Sequence, residues 1–447
     1  MSSKEISRRD LLKTRDYFLF NLQGKKYLFH RDSFAILNVP QKLTTQTKRT
    51  IENILKNEEK KAKVVDKLTL RTVALNLTNR CNFACSYCFA NKGKYDKPGL
   101  TMSEGIAKRA IDLLFENIRN NKQKRAGIAF FGGEPLLEWD LLQKIVLYAE
   151  ENKPSSLKRL KFLITTNASL LDQSKIDFLK KHNFSVMISI DGPPESHDIN
   201  RKLANGAGTY QKILPNILAV SKVLPVTFRA TVTNNNLDLV KIVKHFRKLV
   251  AKIITFGLDN NHLKKDNYSQ IMKSYKKLAS LYFKDIIGGK FYEITNFSDI
   301  LLQIVFKERK ISHCNAGLSY LGIAADGSIY KCPRFTGFKS HQFGNVFDEN
   351  KMIKKQKAFR VGLKENAGSR NKTCSNCPFV LLCGGLCHYD LFMKGKQDSD
   401  IIKEQCQLRK CIYKEVIKLE VKLPLEIKRK FLLSLIDTPR KEVENND

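Results

Sequence analysis

The chain has 447 residues, too many for a single hydrophobic core, so we expect two or three domains. It carries 79 Lys and Arg against 44 Asp and Glu, a net charge of +35. The lysines are scattered over predicted helix surfaces and do not form one block interleaved with aromatic residues, which favours salt-dependent attraction to acidic partners over nucleic-acid binding. No run of 18 apolar residues is present and the first 13 residues lack an apolar signal core, so we expect a cytoplasmic protein with no membrane partner.

Residues 1–66 are predicted to form a small opening module. Two strands, Tyr17–Leu22 and Lys26–His30, flank a turn at Gln23-Gly24, a helix starts within Ser33–Val39, and helical spacing continues from Thr47 to Lys63. A small sheet of this kind has an exposed edge that can accept an extended peptide as an added strand. The alternative is that the module only packs against the rest of the chain.

Residues 67–300 are predicted to form an α/β domain, because short apolar runs alternate with amphipathic helices. The alternation is typical of a mostly parallel sheet, here a partial (β/α)6 TIM-like barrel with its site at the carboxyl ends of the strands. The predicted strands are 74–77, 127–131, 161–165, 186–190, 226–232 and 253–257. The predicted helices are 103–117, 139–151, 172–182, 210–222 and 237–248.

Three cysteines, Cys81, Cys85 and Cys88, follow the first strand in a Cys-x3-Cys-x2-Cys run. Thiolates at this spacing can bind three irons of a 4Fe–4S cluster, which leaves the fourth iron without a protein ligand. The spacing does not fit a dithiol redox pair, and a zinc site would need a fourth ligand at a matching distance.

Glycines and polar residues lie at the carboxyl ends of the next predicted strands. Gly132 and Gly133 allow a close approach of the backbone to a ligand, and the following Glu134 can accept a hydrogen bond from an amine. Side chains that can bond ribose hydroxyls, or pair with a carboxylate in the case of arginine, are Asn167, Ser189, Asp191 and Arg201. Each residue alone is more typical of a turn or cap, but all of them lie at strand ends, so we expect one shared site.

The remaining eight of the 11 cysteines lie between residues 314 and 411, in a predicted cysteine-rich domain of residues 301–415. Their order is Cys314, Cys332, Cys374, Cys377, Cys383, Cys387, Cys406 and Cys411. In a chain expected to be cytoplasmic they indicate metal binding rather than disulfides. Two further 4Fe–4S clusters and a zinc module are the two interpretations. A hairpin turning at Asp326-Gly327 separates the first two cysteines, and residues 416–447 are predicted to form a charged helical tail.

Together these motifs resemble those of the radical S-adenosylmethionine (SAM) enzymes over roughly residues 70–411. The later cysteines resemble the SPASM extension of these enzymes, which holds two auxiliary clusters. Within the superfamily the chain is most similar to peptide maturases, which modify ribosomally made precursor peptides and often join a Cys sulfur to a carbon of another residue. The segments that carry this likeness are Tyr87-Cys88-Phe89-Ala90, Gly132-Gly133-Glu134-Pro135, Cys314-Asn315-Ala316-Gly317, Phe343-Gly344-Asn345-Val346 and Cys383-Gly384-Gly385.

The resemblance implies a role for each matching residue. Cys81, Cys85 and Cys88 would bind the cluster whose open iron takes the amino and carboxylate groups of SAM. The implied SAM contacts are Gly133 and Glu134 to the amine, Ser189 and Asp191 to the ribose, Arg201 to the carboxylate and Tyr87 to the adenine. Cleavage of SAM by one electron would give a 5′-deoxyadenosyl radical that abstracts hydrogen from the peptide. The protein would position these groups and exclude water.

The resemblance also implies three 4Fe–4S clusters in all. The two auxiliary clusters would be held by Cys374, Cys377, Cys383 and Cys406, and by Cys314, Cys332 and Cys387. The second of these sets has three cysteines, so we expect an open iron that binds a substrate Cys thiolate. The reductant would be a flavodoxin- or ferredoxin-type protein, and the opening module is similar to a winged-helix-like leader-peptide recognition domain.

Two departures argue against one subgroup, the anaerobic sulfatase-maturating enzymes. That subgroup usually has an acid where Pro333 follows Cys332, and a Gln where Phe131 stands. Other radical outcomes, peptide epimerisation and carbon–carbon crosslinking, stay open, and a zinc-bearing nucleic-acid-binding protein is the alternative outside this enzyme class.

Overall fold

The computed structural model describes residues 16–40, 44–64, 69–365, 372–394 and 399–436. Expectations about the first 13 residues, and parts of the predicted opening module and tail, lie outside these ranges. None of the described helices is both long and apolar enough to cross a membrane.

The opening module is a three-stranded antiparallel sheet followed by a helix. Its strands are β1 (Tyr17–Leu22), β2 (Lys25–His30) and β3 (Ile36–Val39), in the order β1-β2-β3, and helix α1 covers Thr45–Lys60. The two predicted strands are confirmed, but the helix predicted to start within 33–39 is wrong. Phe34 adopts a positive φ of 55°, which reverses the chain and lets Ile36 pair with Phe29. An apolar run of four residues carries too little periodicity to distinguish a strand from a helix.

The central sheet has ten strands, in the order β11 (Glu293–Ile294), β10 (Ile253–Leu258), β9 (Val226–Val232), β8 (Ser185–Ser189), β7 (Arg159–Thr166), β6 (Arg125–Phe131), β5 (Thr72–Asn76), β13 (Tyr320–Ile323), β14 (Ser328–Tyr330) and β15 (Gln342–Asn345). Six parallel neighbours, β5 to β10, form the predicted partial barrel. These six strands are β5 (Thr72–Asn76), β6 (Arg125–Phe131), β7 (Arg159–Thr166), β8 (Ser185–Ser189), β9 (Val226–Val232) and β10 (Ile253–Leu258). The α/β fold class and all six predicted strands are therefore confirmed. The short strands β4 (Lys63–Val64) and β12 (Glu308–Arg309) pair apart from this sheet.

Helices connect the strands and cover the outer face of the sheet. They are α2 (Glu104–Asn120), α3 (Trp139–Asn152), α4 (Gln173–Lys181), α5 (Pro194–Asp198), α6 (Tyr210–Val223), α7 (Leu239–Lys248), α8 (Lys265–Ile287) and α9 (Thr295–Val305). Three of them begin at a side-chain cap: Ser103, Asp172 and Asp238 each accept a hydrogen bond from a backbone amide of the first turn. Helices α8 and α9, and strand β11 (Glu293–Ile294), were not predicted from the sequence.

The cysteine-rich region continues the central sheet across the predicted boundary at residue 300. Strand β13 (Tyr320–Ile323) pairs in parallel with β5, and the hairpin to β14 (Ser328–Tyr330) is confirmed. Strand β15 (Gln342–Asn345) follows, then α10 (Glu349–Glu365), α11 (Lys372–Ser375), α12 (Val380–Cys383), α13 (His388–Lys394), α14 (Ser399–Lys422) and α15 (Leu425–Ile436). Helix α14 runs through the predicted start of the tail at residue 416 without a break.

The opening module lies against the cysteine-rich region. Phe18 and Phe29 both contact Phe379, with ring centroids 5.2 and 5.9 Å apart. An ion pair between Lys307 and Glu58 also joins the module to the segment before the cysteine-rich strands. The module is therefore held by a residue that lies between Cys377 and Cys383 in the sequence.

Candidate functional site

A cavity of about 670 Å³ lies at the carboxyl ends of the barrel strands and extends to the cysteine-rich region. It is lined by cysteines from both parts of the chain. They are Cys81, Cys85, Cys88, Cys332, Cys383 and Cys387. The cavity also contains most of the predicted SAM contacts: Tyr87, Gly132, Gly133, Glu134, Asn167, Ser189 and Arg201. The structure thus brings together residues that are far apart in the sequence.

Backbone hydrogen bonds hold the loop of Cys81, Cys85 and Cys88 at the end of β5. On one side, the Glu134 amide donates to the carbonyl of Arg80 over 2.9 Å. On the other, Ala84 and Ser86 donate to the carbonyls of Lys202 and Asn200 over 2.7 and 2.9 Å. The loop is therefore clamped between the end of β6 and the segment that carries Arg201.

The two glycines of Gly132-Gly133-Glu134 serve the protein's own packing. A Cβ on Gly133 would lie 2.1 Å from the Arg80 carbonyl oxygen, and one on Gly132 would lie 2.7 Å from the Thr78 carbonyl oxygen. Gly132 also has a φ of 142°, which side chains rarely adopt. The two glycines were expected to let a ligand come close to the backbone. In the structure, the backbone of Thr78 and Arg80, at the start of the cysteine loop, comes close to them.

The Glu134 carboxylate lies beside this loop and is buried. Its Oε1 accepts hydrogen bonds from Thr166 Oγ1 at 2.7 Å and from the Leu136 amide, and its Oε2 accepts from the Asn167 amide at 2.8 Å. Burial raises the pKa of Glu134 to about 7, although these donors oppose the rise. Near neutral pH the group therefore exchanges between a neutral acid and a carboxylate that attracts a cation.

Asn167 links the end of β7 to the cysteine loop. Its Nδ2 donates to Asn82 Oδ1 over 2.9 Å, and its Oδ1 accepts from Ser169. Ser169 in turn accepts from Asn82 Nδ2 over 2.8 Å. Both polar ends of the Asn167 amide are engaged with protein, so the side chain fixes the loop at the cavity wall.

Asp191 is not among the residues that line the cavity, unlike the expectation of a ribose contact. It is fully buried, and both of its carboxylate oxygens are bonded to protein. Tyr87 donates to its Oδ2 over 2.7 Å, and the Thr231 amide donates to its Oδ1 over 2.9 Å. Arg201 also pairs with Oδ2 at 3.2 Å. Asp191 therefore orients Tyr87 and Arg201, which do face the cavity. The Arg201 Nη1 lies 3.8 Å from Cys85 Sγ.

The thiols of the first loop have the chemistry that a cluster requires. Burial raises the pKa of Cys81 to about 12 and that of Cys85 to about 11. Such thiols stay protonated in neutral water and ionise when they bind a metal. Among the described residues no three Cys, His, Asp or Glu side chains are placed to hold a single metal ion. The thiols of a 4Fe–4S cluster bind separate irons, so they surround the cluster instead of meeting at one point.

The later cysteines form two spatial groups, and the first contains three thiols. Burial raises the pKa of Cys332 to about 12, and the neighbouring thiols of Cys314 and Cys387 contribute to the rise. Cys314 is exposed, whereas the other two lie at the cavity wall. These are the three cysteines expected to share one auxiliary cluster.

The second group contains Cys374, Cys377, Cys383 and Cys406. Burial raises the pKa of Cys406 to about 11, with contributions from Cys383 and Cys374, and Cys377 also lies within electrostatic reach of Cys383. Cys411 is separate from this group: it is buried on the far face of α14, where its Sγ lies 3.8 Å from the Met272 carbonyl oxygen.

Three arginines of the cavity wall were not predicted. Arg334 pairs with Asp390 at 2.9 Å and donates to Cys387 Sγ over 3.6 Å. Arg409 donates to Cys383 Sγ over 3.7 Å, and Arg229 projects from β9. A signal existed for the first two, since Arg334 follows Cys332 by two residues and Arg409 follows Cys406 by three. No such signal existed for Arg229, because it is a single arginine within the largely apolar run Val226–Val232.

Two family models match the chain. The model described as the Radical SAM superfamily matches residues 75–246, and the model of the iron–sulfur cluster-binding domain SPASM matches residues 314–378. An uncharacterized protein of Methanocaldococcus jannaschii is 32% identical over 63% of this chain and 91% of its own. The radical SAM cyclopropyl synthase TigE of Paramaledivibacter caminithermalis is 26% identical over 78% of this chain and 75% of its own.

The fold is also similar to a solved structure, native anSMEcpe with bound AdoMet and the Kp18Cys peptide. The two share a TM-score of 0.66 over 79% of this chain and 99% of the other, at 22% sequence identity. This likeness shows a common partial-barrel fold.

Proposed function

Because the chain belongs to the radical SAM superfamily and carries its SPASM extension, we propose that it is a peptide maturase that forms a thioether between a Cys sulfur and a carbon of another residue. The observation that carries the proposal is the shared cavity, whose wall holds thiols of all three cysteine groups. A substrate segment in this cavity would lie near the SAM site and near an auxiliary cluster at once.

The first loop is the proposed site of the SAM-binding cluster. Cys81, Cys85 and Cys88 would bind three irons, and the open iron would take the amino and carboxylate groups of SAM. When bound, the cluster would supply the electron that cleaves SAM to methionine and a 5′-deoxyadenosyl radical. Glu134 would accept a hydrogen bond from the methionine amine once its carboxyl is ionised, and Asp191 would hold Tyr87 and Arg201 in place beside the ligand.

The three-thiol group is the proposed binding site for the substrate sulfur. Cys314, Cys332 and Cys387 leave one iron of a 4Fe–4S cluster open, whereas the four-thiol group of Cys406 leaves none. Pro333 follows Cys332 and also lines the cavity, so this position supplies no carboxylate base of the sulfatase-maturating kind. Both features support crosslinking over sulfatase maturation.

The opening module, residues 1–66, is the proposed binding site for the leader of the precursor peptide. Its strand β3 lies at the edge of the three-stranded sheet, where an extended peptide can add as a further strand. The net charge of +35 supports attraction of an acidic peptide and of an acidic flavodoxin- or ferredoxin-type reductant. Residues 67–300 and 301–415 would then contain the SAM site and the auxiliary clusters.

The first test is metal content of the anaerobically reconstituted protein, for which about 12 irons per chain are expected from three 4Fe–4S clusters. About four irons together with zinc would limit the proposal to the first cluster. The absence of iron would contradict it entirely.

The second test takes as candidate substrate any short Cys-rich peptide that is found encoded beside the gene, and incubates it with SAM and a reductant. A thioether removes two hydrogens and makes the Cys resistant to iodoacetamide. A carbon–carbon crosslink also removes two hydrogens but leaves the Cys open to alkylation. Epimerisation leaves the mass unchanged in water and adds deuterium in heavy water, so each alternative outcome has its own signature and would replace the thioether proposal.

A further inference from the structure

Arg229 lies in the middle of β9, in register with Ser189 on β8 and Thr255 on β10. Its neighbours Phe228 and Ala230 are buried on the outer face of the sheet, so alternation along the strand directs Arg229 to the inner face. There it lines the same cavity as the cysteines. The side chain is accessible from this cavity although it lies deep in the protein.

The other arginines of the cavity wall have partners of their own. Arg201 pairs with Asp191 at 3.2 Å, Arg334 pairs with Asp390 at 2.9 Å, and Arg409 donates to the Gly385 carbonyl oxygen over 3.2 Å. For the Arg229 guanidinium, neither a hydrogen bond nor an ion pair is found within the described part of the chain. It therefore presents its donors to whatever fills the cavity.

The protein makes room for this guanidinium on the adjacent strand. A Cβ on Gly257 would lie 3.0 Å from Arg229 Nη2, so a larger residue there would displace the side chain. Gly257 lies on β10 and lines the cavity as well. The space beside Arg229 is therefore built into the sheet.

The charges around Arg229 are mixed. Burial lowers the pKa of Arg229 and repulsion from the Arg334 and Arg201 guanidiniums acts in the same direction, whereas the Tyr87 and Asp191 side chains act against it. An arginine stays charged under these conditions, and the exposed part of its side chain faces the cavity. A bound anion would supply a direct partner for the guanidinium.

We propose that Arg229 binds a carboxylate of a ligand in the cavity. A planar guanidinium with free donors matches a carboxylate in a two-point contact. Two carboxylates are available if the proposed function holds: the methionine carboxylate of SAM and an acidic side chain of the peptide. Binding by either would hold the ligand against β9 inside the cavity.

The test measures binding, separately from turnover, in reconstituted holoprotein. Wild type, Arg229→Gln and Arg229→Lys are titrated anaerobically with SAM and with decarboxylated SAM. If the carboxylate is that of SAM, Arg229→Gln weakens SAM binding by about ten-fold to a hundred-fold, and decarboxylated SAM binds all three proteins alike. Arg159→Gln, which removes an arginine at the opposite end of the barrel strands, is the matched control.

The second possible source of the carboxylate, an acidic side chain of the peptide, is tested with SAM already bound. N-acetyl-aspartate amide and its neutral counterpart N-acetyl-asparagine amide are titrated into the same proteins. If Arg229 holds an acidic side chain, wild type prefers the aspartate probe by about ten-fold and Arg229→Gln loses the preference. Unchanged SAM binding together with no preference in wild type would overturn the proposal.

Failure of this proposal is distinguishable from failure of the proposed function. A wild-type protein that binds no SAM contradicts the radical SAM function itself. A wild type that binds SAM, beside an Arg229→Gln variant that has full iron content and unchanged binding of every probe, contradicts only the role of Arg229.

Discussion

Arg409 donates a hydrogen bond from Nη1 to the Sγ of Cys383 over 3.7 Å, from a position one turn beyond Cys406 on the same helix. Although burial opposes ionisation of this thiol, the guanidinium lowers the pKa of Cys383. The first prediction follows from this pair. Arg409→Gln removes a positive charge and an N–H donor from a proposed cluster ligand, so the reduction potential of that auxiliary cluster should become more negative.

Redox titration monitored by EPR would measure this shift. Arg409→Lys, which keeps the charge, should shift the potential less, and Arg159→Gln should leave it unchanged. A potential that is the same in Arg409→Gln and wild type would contradict the assignment of Cys383 as a ligand.

The second prediction concerns Glu134 and the pH dependence of SAM binding. Its pKa of about 7 is raised above the ordinary value, so the carboxyl takes up a proton as the pH falls through 7 and becomes a weaker acceptor for a hydrogen bond from the methionine amine. Between about pH 8 and about pH 6, SAM affinity should fall by about ten-fold in wild type relative to Glu134→Gln. The ratio of the two dissociation constants cancels the titration of SAM itself.

Glu195→Gln, a change in an exposed glutamate on α5, is the control and should follow wild type at each pH. Parallel pH profiles for wild type and Glu134→Gln would show that Glu134 does not contact the methionine amine.

The third prediction separates the two cysteines of α14. Cys406→Ala should remove about four irons, because Cys406 lies with Cys374 and Cys383 in the four-thiol group. Cys411→Ala should keep the iron and sulfide content of wild type, since the Cys411 thiol faces the Met272 carbonyl instead. Equal iron loss in both variants would mean that the helix, rather than a ligand, was disturbed.

The fourth prediction concerns the packing of the cysteine loop. Gly133→Ala places a Cβ 2.1 Å from the Arg80 carbonyl oxygen, so the loop of Cys81 must shift. We expect loss of about four irons and of SAM binding, with the auxiliary cluster signals retained. Gly105→Ala, in α2 where a Cβ has nothing within 4 Å, should match wild type by the same measurements.

The sequence predicted those elements of the structure that depend on residues close together in the chain. The barrel strands and the hairpin at Asp326-Gly327 were predicted because each has its own apolar period or turn residues. The strand Ile36–Val39 was missed because it is short and its pairing with β2 depends on the reversal at Phe34. Cysteine spacing located the thiols, while the grouping of Cys314 with Cys387 required a resemblance.

The polar contacts of the site were harder to predict. Asp191 and Arg201 were both expected to face SAM. A sequence does not reveal that the Asp191 carboxylate is already bonded to Tyr87, Arg201 and a backbone amide. Arg229 was not predicted because only its surroundings single it out. The other arginines of the cavity wall have partners of their own, and Gly257 leaves space for the Arg229 side chain.

The parallel pairing of β13 with β5 has a consequence for how the chain is made. Tyr320 pairs with Thr72, so β5 gains its second neighbour only after roughly 250 further residues have been synthesised, which takes about 12–50 s at ribosomal rates. During this interval one edge of β5 is unpaired next to the loop of three cysteines, and an open strand edge can pair with other chains. A chain cut before residue 314 would keep that edge permanently. The barrel and the cysteine-rich region thus share one continuous sheet, even though two separate family models match them.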